Sequence, residues 1–357
     1  MASITKRGNK WRAFIAYTTY NGAKKRISGT FATQKEAKEW ASKEEVKING
    51  GYNPNMAKIP FAEYYVQWIE TYKRPTVRES TIIKYNTYAK DISEIFGSQS
   101  LSKLTPTIVQ NAITKFGNTH ALETTKNLTS TIKASLQDAY VDGYIERDIY
   151  SRVKAVSSKK TAQFQNYLEA DEFERLQRYL YATVKKSDQF HLLVLLALET
   201  GARLGELLAL TRPDFTGNAI DINKSYSNSV KAVTLPKNKS SIRTITLSTR
   251  MSEVLEWYIK QNNNNDLFPH WSNQTIQNNL VRILKEAHSH PIKFHGLRHS
   301  HVSYLLHNGV DITYISKRVG HSNTAITIQV YSHMLKEKEQ VQNELALNIL
   351  DNLGKNT

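Results

Sequence analysis

The first fifty residues alternate between apolar and polar side chains in the manner of β-strands. Every second residue from Trp11 to Tyr17 is apolar, which places these side chains on one face of a strand. Asn21-Gly22 is typical of a tight hairpin turn, and a further strand is expected at 24–28. Thr33-x-x-Glu36 then has the form of a capping box at the start of a helix. Residues 1–51 are therefore predicted to form a small three-stranded sheet and one helix.

Residues 60–153 follow a helical pattern throughout. Aromatic and apolar residues recur at spacings of three and four from Phe61 to Tyr72, which predicts one amphipathic helix whose rings face a core. Further helices are predicted at about 80–96, after the cap Thr105-Pro106, and at 124–141.

The pattern changes after a polar, basic stretch at 157–162, which we interpret as a linker. Beyond it, an apolar helix and three strand-like runs (219–222, 232–235 and 243–247) precede further helices. The chain is thus predicted to be an α+β multidomain protein. Its parts would be a sheet-plus-helix domain at 1–51, an all-helical domain at 60–153, and a mainly helical domain with a small antiparallel sheet at 165–357.

Positive charge dominates the composition. The 357 residues carry a net charge of +16, which favours a polyanionic partner such as nucleic acid. Residues 1–60 contain 12 Lys or Arg and 4 Glu, so half of the net charge lies there. A basic, aromatic sheet could lie in a DNA groove, and a plain solvated sheet face is the alternative. The candidate DNA contacts are the seven cations of residues 1–30: Lys6, Arg7, Lys10, Arg12, Lys24, Lys25 and Arg26.

Two further features of the composition exclude whole classes of protein. The chain has no cysteine, which rules out disulfides, thiolate metal sites and cysteine nucleophiles. Its longest purely apolar stretch, Leu192–Leu198, has seven residues and is too short to cross a bilayer. No signal-peptide pattern follows the early basic residues. We therefore expect a soluble, cytoplasmic protein without a membrane partner.

Two motifs carry candidate phosphate-binding cations. Arg203 follows the turn Thr200-Gly201 and is predicted in the first turn of a helix, where its forked guanidinium could hold two phosphate oxygens. Taken alone, a surface salt bridge explains this arginine better. Lys237 lies between two predicted strands, on the tip of a hairpin from which it could reach a phosphate. Most lysines at such tips have no special role.

Two more motifs contain histidine, arginine and tyrosine. His295 and Arg298 are three residues apart, so they share one face of a helix or of its entry turn. His321 follows Gly320, and Tyr331 comes ten residues later. His299 and His301 stand near His295 at ligand-like spacing, but carboxylates are absent and Arg298 would repel a metal cation, so a metal hydrolase is disfavoured.

Taken together and in order, the four motifs resemble the signature boxes of the tyrosine recombinases of phage-integrase type. The corresponding runs are TGARLGELLAL, PKNKSSIRTITL, HGLRHSHVSYLL and VGHSNTAITIQVYSH. Two spacings also agree: Lys237 stands six residues before Arg243, and Tyr331 ten after His321. Asn238 and Val319 depart from the residues most common at their positions, and neither change removes a functional group.

The resemblance implies a role for each site residue. Tyr331 would be the nucleophile, and Arg203 and Arg298 would clamp the scissile phosphate, with Glu206 supporting the first arginine. His295 would exchange the tyrosine proton, Lys237 would protonate the departing 5′ oxygen, and His321 would add a phosphate hydrogen bond. This chemistry is physically reasonable because attack on a phosphodiester builds negative charge that preorganised cations stabilise. The phosphotyrosine link conserves the bond energy, so no metal, cofactor or ATP is expected.

The resemblance also implies partners. Double-stranded DNA would be bound at core sites and at flanking arm sites, and four protomers would exchange strands through a Holliday junction. The tail, with Leu345, Leu347, Ile349 and Leu350, resembles a C-terminal helix that docks on a neighbouring protomer. A DNA-bending host factor and an excisionase are candidate accessory proteins. The expected function is integration or excision of a mobile element or phage genome in a bacterial or phage-infected cell. A catalytically inactive DNA-binding regulator and a type IB topoisomerase-like enzyme are the alternatives.

Overall fold

The structure is a computed structural model that describes residues 2–18, 22–54, 56–160, 164–185, 188–236, 238–325, 327–328 and 339–353. Three residues singled out in the sequence, Asn21, Lys237 and Tyr331, lie outside the described residues. The chain divides into two compact units, Met1–Ala162 and Gln163–Thr357. Within the described part of the chain, every helix is too short or too polar to cross a lipid bilayer.

The first unit begins with the predicted sheet and helix. Three antiparallel strands lie in the order β1 (Ala2–Arg7), β2 (Lys10–Thr18) and β3 (Lys24–Phe31), and helix α1 covers Gln34–Asn49. The capping box is confirmed: the Thr33 side chain accepts from the Glu36 amide, and the Glu36 carboxylate accepts from the Thr33 amide. Ala13 and Ile15 are buried against α1, so the predicted apolar face of the strand is confirmed as the inner face.

The rest of the first unit is helical, as predicted. Trp68, Ile132 and other apolar side chains form a core of their own. The predicted helix 61–72 is wrong in one detail, because the α-helix ends at Trp68 and a π-helical turn follows at Ile69–Lys73. That wider turn keeps Ile69 buried while Tyr72 donates a hydrogen bond to Asp142 over 2.7 Å. The α-helices are α2 (Phe61–Trp68), α3 (Glu79–Phe96), α4 (Pro106–Gly117) and α5 (Leu122–Val141).

At the centre of the second unit lies an almost wholly buried helix, α7, which spans Gln189–Thr200. Leu193, Leu195 and Leu198 are fully enclosed, which explains why this helix is apolar on every face. The other α-helices are α6 (Ala170–Thr183), α8 (Leu204–Leu208), α9 (Thr249–Gln261), α10 (Asn273–Glu286), α11 (Phe294–His307), α12 (Ile312–Val319) and α13 (Glu339–Leu353).

Two small antiparallel sheets, each of two strands, complete the second unit. Strand β4 (Ala219–Ile222) pairs with β7 (Arg243–Thr246), and β5 (Ser225–Ser227) pairs with β6 (Ala232–Thr234). The predicted hairpin with Lys237 at its tip is therefore wrong, because β6 and β7 pair with different partners. The opposed pair Ile220 and Ile245 is buried in the core, and this burial sets the register of β7 against β4. Strand β5 was missed because its short, polar sequence has no apolar alternation.

Candidate active site

The first motif lies where α7 ends and α8 begins. Gly201 ends α7 in the left-handed conformation, with φ of 63°. A Cβ at this position would lie 2.7 Å from Cδ2 of His301, so glycine permits both the turn and the close packing of α11. Arg203 precedes α8 in extended conformation as its N-cap. The expectation that it lies in the first helical turn is therefore wrong by one position.

Arg203 is held in place through its backbone amide and through its guanidinium. Its backbone amide donates to Oε2 of Glu206 over 2.9 Å, and its Nη1 donates to Oε1 of the same carboxylate over 2.8 Å. Its Nη2 donates to the carbonyl of Gly320 over 3.1 Å. The side chain remains 38% exposed, so the guanidinium is held in place by protein and still accessible from solvent.

Glu206 shares its carboxylate between two arginines. Besides Arg203, it accepts from Nη2 of Arg243 over 2.9 Å, and the carboxylate is only 3% exposed. Burial alone would raise the pKa of Glu206, but the hydrogen bond and charge of Arg243, together with Arg203, hold that pKa below its usual value. In the sequence, Arg243 marks only a spacing from Lys237, and no local pattern indicates its contact with Glu206.

Arg298 links the third motif to the first and the fourth. It lies in α11 and is buried, and its Nη1 donates to the carbonyl of Gly201 over 2.8 Å and to that of Val319 over 2.6 Å. The first of these acceptors ends α7 and the second ends α12. One guanidinium therefore joins α11 to the ends of α7 and α12, the two helices that directly precede Arg203 and His321.

Burial and neighbouring positive charge keep two histidines near the arginines in the neutral form. Removal of water by surrounding protein atoms, and then electrostatic repulsion by His299 and Arg298, lower the pKa of His295 to about 4, although its ring still reaches the surface. The pKa of His321 is also lowered to about 4, by burial first and then by Arg298 and Arg203. Nδ1 of His321 lies 2.7 Å from the hydroxyl of Thr327. Both rings are therefore uncharged at neutral pH.

His301 is a structural residue. Its Nδ1 hydrogen-bonds to the carbonyl of Leu198 over 2.8 Å, and its Nε2 accepts from Nε of Arg318 over 3.3 Å. Complete burial, followed by the charge of Arg318, lowers the pKa of His301 to about 3. Since both ring nitrogens already have protein partners, His301 cannot serve as the third ligand in the metal site that was considered from spacing.

The structure thus brings together five of the predicted site residues. Lys237 and Tyr331 lie outside the described part of the chain, but the loop after Lys237 approaches the cluster. A Cβ on Gly320 would lie 3.0 Å from the carbonyl oxygen of Ser240. The five residues are Arg203, Glu206, His295, Arg298 and His321.

The seven N-terminal cations divide between the two faces of the sheet. The strand register pairs Lys6 with Trp11 and Lys25 with Tyr17, which puts these two lysines on the face that packs on α1. Side chains alternate between the two faces along each strand, so the register places the other five cations on the outer face: Arg7, Lys10, Arg12, Lys24 and Arg26. There the guanidinium carbons of Arg12 and Arg26 lie 4.8 Å and 5.7 Å from the centre of the Phe14 ring. The outer face is therefore both cationic and aromatic.

Three family models match the chain in the order of its predicted parts. Residues 2–48 match an Arm DNA-binding domain, residues 60–117 match a phage integrase, N-terminal SAM-like domain, and residues 166–338 match the phage integrase family. All residues of the candidate site lie within the last of these ranges. The matched segments account for most of the chain.

Relatives and solved structures agree with these matches. The ICEBs1 integrase of Bacillus subtilis (strain 168) is 27% identical over 278 residues, which cover 70% of this chain and 73% of the relative. The Tn1549 transposon integrase in complex with transposon right end DNA has a similar fold, with a TM-score of 0.66 and 17% identity over 80% of this chain and all of that one. A lambda integrase tetramer bound to a Holliday junction gives a TM-score of 0.58 at 15% identity, covering 90% and 96% of the two chains. From its motifs, its family models and its relatives, the chain belongs to the phage integrase family of tyrosine recombinases.

Proposed function

We propose that this site-specific recombinase cleaves and rejoins DNA through a 3′-phosphotyrosine intermediate on Tyr331, and so integrates or excises a mobile element or phage genome. The observation that carries the proposal is the clustering of Arg203 and Arg298 with two neutral histidines. Glu206 is the acidic group of this cluster, and two arginines already neutralise it. The site thus keeps an excess of positive charge, as a phosphodiester substrate requires.

Arg203 and Arg298 would hold the two non-bridging oxygens of the scissile phosphate. Their forked guanidinium groups suit paired phosphate oxygens, and both are fixed by backbone carbonyls before DNA arrives. Charge that develops on the phosphorane then meets donors that need not reorganise. Loss of one such donor typically lowers the rate roughly 10²- to 10³-fold.

Proton transfer would fall to His295 and Lys237. Because the pKa of His295 is lowered to about 4, its ring is a free base at neutral pH and can take the proton of the Tyr331 phenol as the oxygen attacks phosphorus. The phosphorus–5′ oxygen bond breaks in the same displacement, and Lys237 would give a proton to that departing oxygen. The approach of Ser240 to Gly320 supports a position for the Lys237 loop beside the phosphate.

His321 would add a hydrogen bond to the phosphate. In the tautomer whose Nδ1 accepts from the hydroxyl of Thr327, the ring proton is on Nε2 and can be donated to a phosphate oxygen. The same ring would then serve both halves of the reaction, since rejoining passes through a similar pentavalent phosphorus.

The remaining parts of the chain would direct this chemistry to particular DNA. Residues 1–51 would bind flanking arm sites through the outer face of the sheet, residues 60–153 would bind the core site, and residues 165–357 would form the catalytic domain. Four protomers would assemble on two double-stranded DNA segments, with helix α13 docked on a neighbour. Its Leu347, Ile349 and Leu350 are exposed in the isolated chain. A DNA-bending host factor, an excisionase and a cytoplasmic, DNA-associated location complete the proposal.

Covalent capture from a pool of random DNA sequences tests the reaction and identifies the attachment site at the same time. The purified chain is incubated with a library of double-stranded DNA in which each molecule carries a nick inside a randomised segment. Cleavage beside the nick releases a short fragment, so the protein cannot rejoin the strand and stays attached to the DNA. We expect denaturant-resistant adducts, enriched in one core sequence, with the DNA joined to the peptide that contains Tyr331.

Tyr331→Phe is the matched control, because it deletes the attacking oxygen and keeps the ring. It should bind the enriched DNA with nearly unchanged affinity and form no adduct. Adducts on the Phe variant, or on another tyrosine, would contradict the assignment of the nucleophile. Specific binding without any adduct from the wild-type chain would indicate a DNA-binding regulator.

A further inference from the structure

Arg243 is an almost buried arginine whose guanidinium contacts three separate segments around the candidate site. Its Nη2 donates to Oε2 of Glu206 in α8 over 2.9 Å. Its Nη1 donates to the carbonyl of Ser241, in the turn that follows Lys237, over 2.9 Å. Its Nε donates to the carbonyl of Arg318, in the last turn of α12, over 2.7 Å. The side chain is 7% exposed, so its hydrogen-bond donors are directed to protein groups and hardly reach solvent.

The turn Gly320-His321 rests directly on this guanidinium. Gly320 has a φ of 71°, and a Cβ there would lie 3.0 Å from Nη1 of Arg243. The carbonyl of Gly320 in turn accepts from Arg203. Arg243 therefore lies between the group that fixes Arg203 and the turn that carries His321.

Only an arginine can satisfy this set of acceptors. The three partners lie around one planar fork, with one donor nitrogen directed to each. A lysine has a single ammonium group and cannot span acceptors so far apart. A neutral side chain would leave Glu206 buried with one cation instead of two, which is costly for an ionised carboxylate.

We propose that Arg243 is a positioning residue for strand cleavage. It holds Glu206 against Arg203, and it fixes the His321 turn and the end of the Lys237 loop to the same point, without touching DNA itself. This inference rests on the proposed function, because it assumes that Arg203, His321 and Lys237 act on the scissile phosphate.

Loss of Arg243 should change the pH dependence of cleavage. The groups that lower the pKa of Glu206 are Arg243 from β7 and Arg203 at the start of α8. The ring of His295 from α11, whose own pKa is about 4, faces the same carboxylate. Arg243 is the strongest of the influences that lower the pKa of Glu206. Without it that pKa rises, Glu206 becomes protonated at a higher pH, and its ion pair with Arg203 is lost. The acidic limb of the cleavage profile should then move to higher pH.

The test is a double-mutant cycle on the full chain. Arg243→Met, Glu206→Gln and the double variant are compared in single-turnover cleavage of the captured DNA, in DNA affinity and in thermal stability. We expect Arg243→Met to cleave between about tenfold and a hundredfold more slowly, by analogy with groups that orient metal ligands, with DNA affinity changed less than about threefold. Because the ion pair with Glu206 is one of the three contacts of Arg243, the double variant should be less impaired than the product of the two single effects.

Arg212→Met is the matched control. Arg212 also donates from its guanidinium to two backbone carbonyls, those of Ile259 and Asn262, but it lies apart from the candidate site. It should lose stability and keep the wild-type cleavage rate and pH profile once folded. Arg243→Lys keeps the charge and should show a smaller shift of the acidic limb than Arg243→Met. If Arg243→Met does not fold, the cycle is run with Arg243→Lys.

The outcomes separate this inference from the proposed function. Absence of adducts from the wild-type chain would overturn both. If the wild-type chain cleaves while the Arg243 variants keep its rate and pH profile, the positioning role is wrong. Independent effects of Arg243→Met and Glu206→Gln, or an equal loss in Arg212→Met, would also overturn it, because general destabilisation would then explain the loss.

Discussion

Nη1 of Arg298 donates a hydrogen bond to the carbonyl of Gly201 over 2.8 Å, across 97 positions of the chain. The geometry depends on the left-handed turn at Gly201, with φ of 63°, because this turn directs the carbonyl after α7 toward α11. The same glycine leaves room for the ring of His301. The arginine that we propose binds the scissile phosphate is thus oriented by a residue that has no side chain.

Gly201→Ala should destabilise the second unit and slow cleavage. A non-glycine residue in the left-handed region costs about 1–3 kcal/mol, and the new Cβ would also meet Cδ2 of His301 at 2.7 Å. Urea unfolding measures the loss of stability. Gly309→Ala is the control, since Gly309 has a φ of 81° with no atom within 4 Å of a Cβ. Gly309→Ala should lose stability only by the cost of the left-handed backbone, and it should cleave at the wild-type rate. Equal losses of stability and activity in the two variants would rule out the packing role of Gly201.

Lys237→Ala should be rescued by changing the leaving group. If Lys237 protonates the departing 5′ oxygen, a DNA substrate with sulfur at that bridging position needs no such proton, because a thiolate is a good leaving group. The variant should cleave this substrate at a rate near that of the wild-type chain, and the normal substrate far more slowly. Single-turnover cleavage of both substrates provides the measurement. Slow cleavage of both would remove Lys237 as the general acid, and Lys239 would be the next candidate.

Mild acid should reduce the free energy of unfolding of the second unit. The pKa of His301 is lowered from 6.5 to about 3, so between these values the unfolded chain binds a proton that the native protein excludes. Stability is then full above pH 6.5 and falls as pH decreases toward about 3, by on the order of 1 kcal/mol per pH unit. Urea unfolding at a series of pH values measures this slope. His301→Gln removes the titrating ring, and an unchanged slope in that variant would show that other groups cause it.

The outer face of the N-terminal sheet should account for much of the salt dependence of DNA binding. Arg12→Gln with Arg26→Gln removes two outer cations, and each lost phosphate contact lowers the slope of log affinity against log salt by roughly 0.9. We therefore expect a decrease of about 2 on long DNA that contains the arm sites, and little change on a short duplex with the core site alone.

Lys6→Gln with Lys25→Gln is the control of equal charge, since both lysines lie on the face that packs on α1. Substitutions test this surface better than removal of residues 1–51, because Lys47 forms an ion pair with Glu146 over 3.1 Å and deletion would disturb that contact. Equal decreases for the two double variants would mean that overall charge, and not the outer face, determines binding.

Much of the local structure follows from the sequence alone. The capping box at Thr33 and the cap at Thr105-Pro106 were predicted because a cap involves residues within four positions of each other, so its signal is contiguous. The motifs also identified Arg203 and Arg298 as members of one site, because their order and spacing match the family. The concentration of seven cations in residues 1–30 can also be read directly from the sequence.

Tertiary structure decided the contacts between distant segments. Glu206 and Arg243 are 37 positions apart, and no local pattern shows that they meet. The pairing of β7 with β4, in place of a hairpin with β6, depends on burial of Ile220 against Ile245. The low pKa of His301 arises from complete burial beside Arg318, which is a property of packing and not of spacing. The sequence determined which groups are present and how each helix begins and ends, because caps and periodicity act over a few residues. Folding determined which charges neutralise one another, because desolvation and ion pairing depend on distances in space.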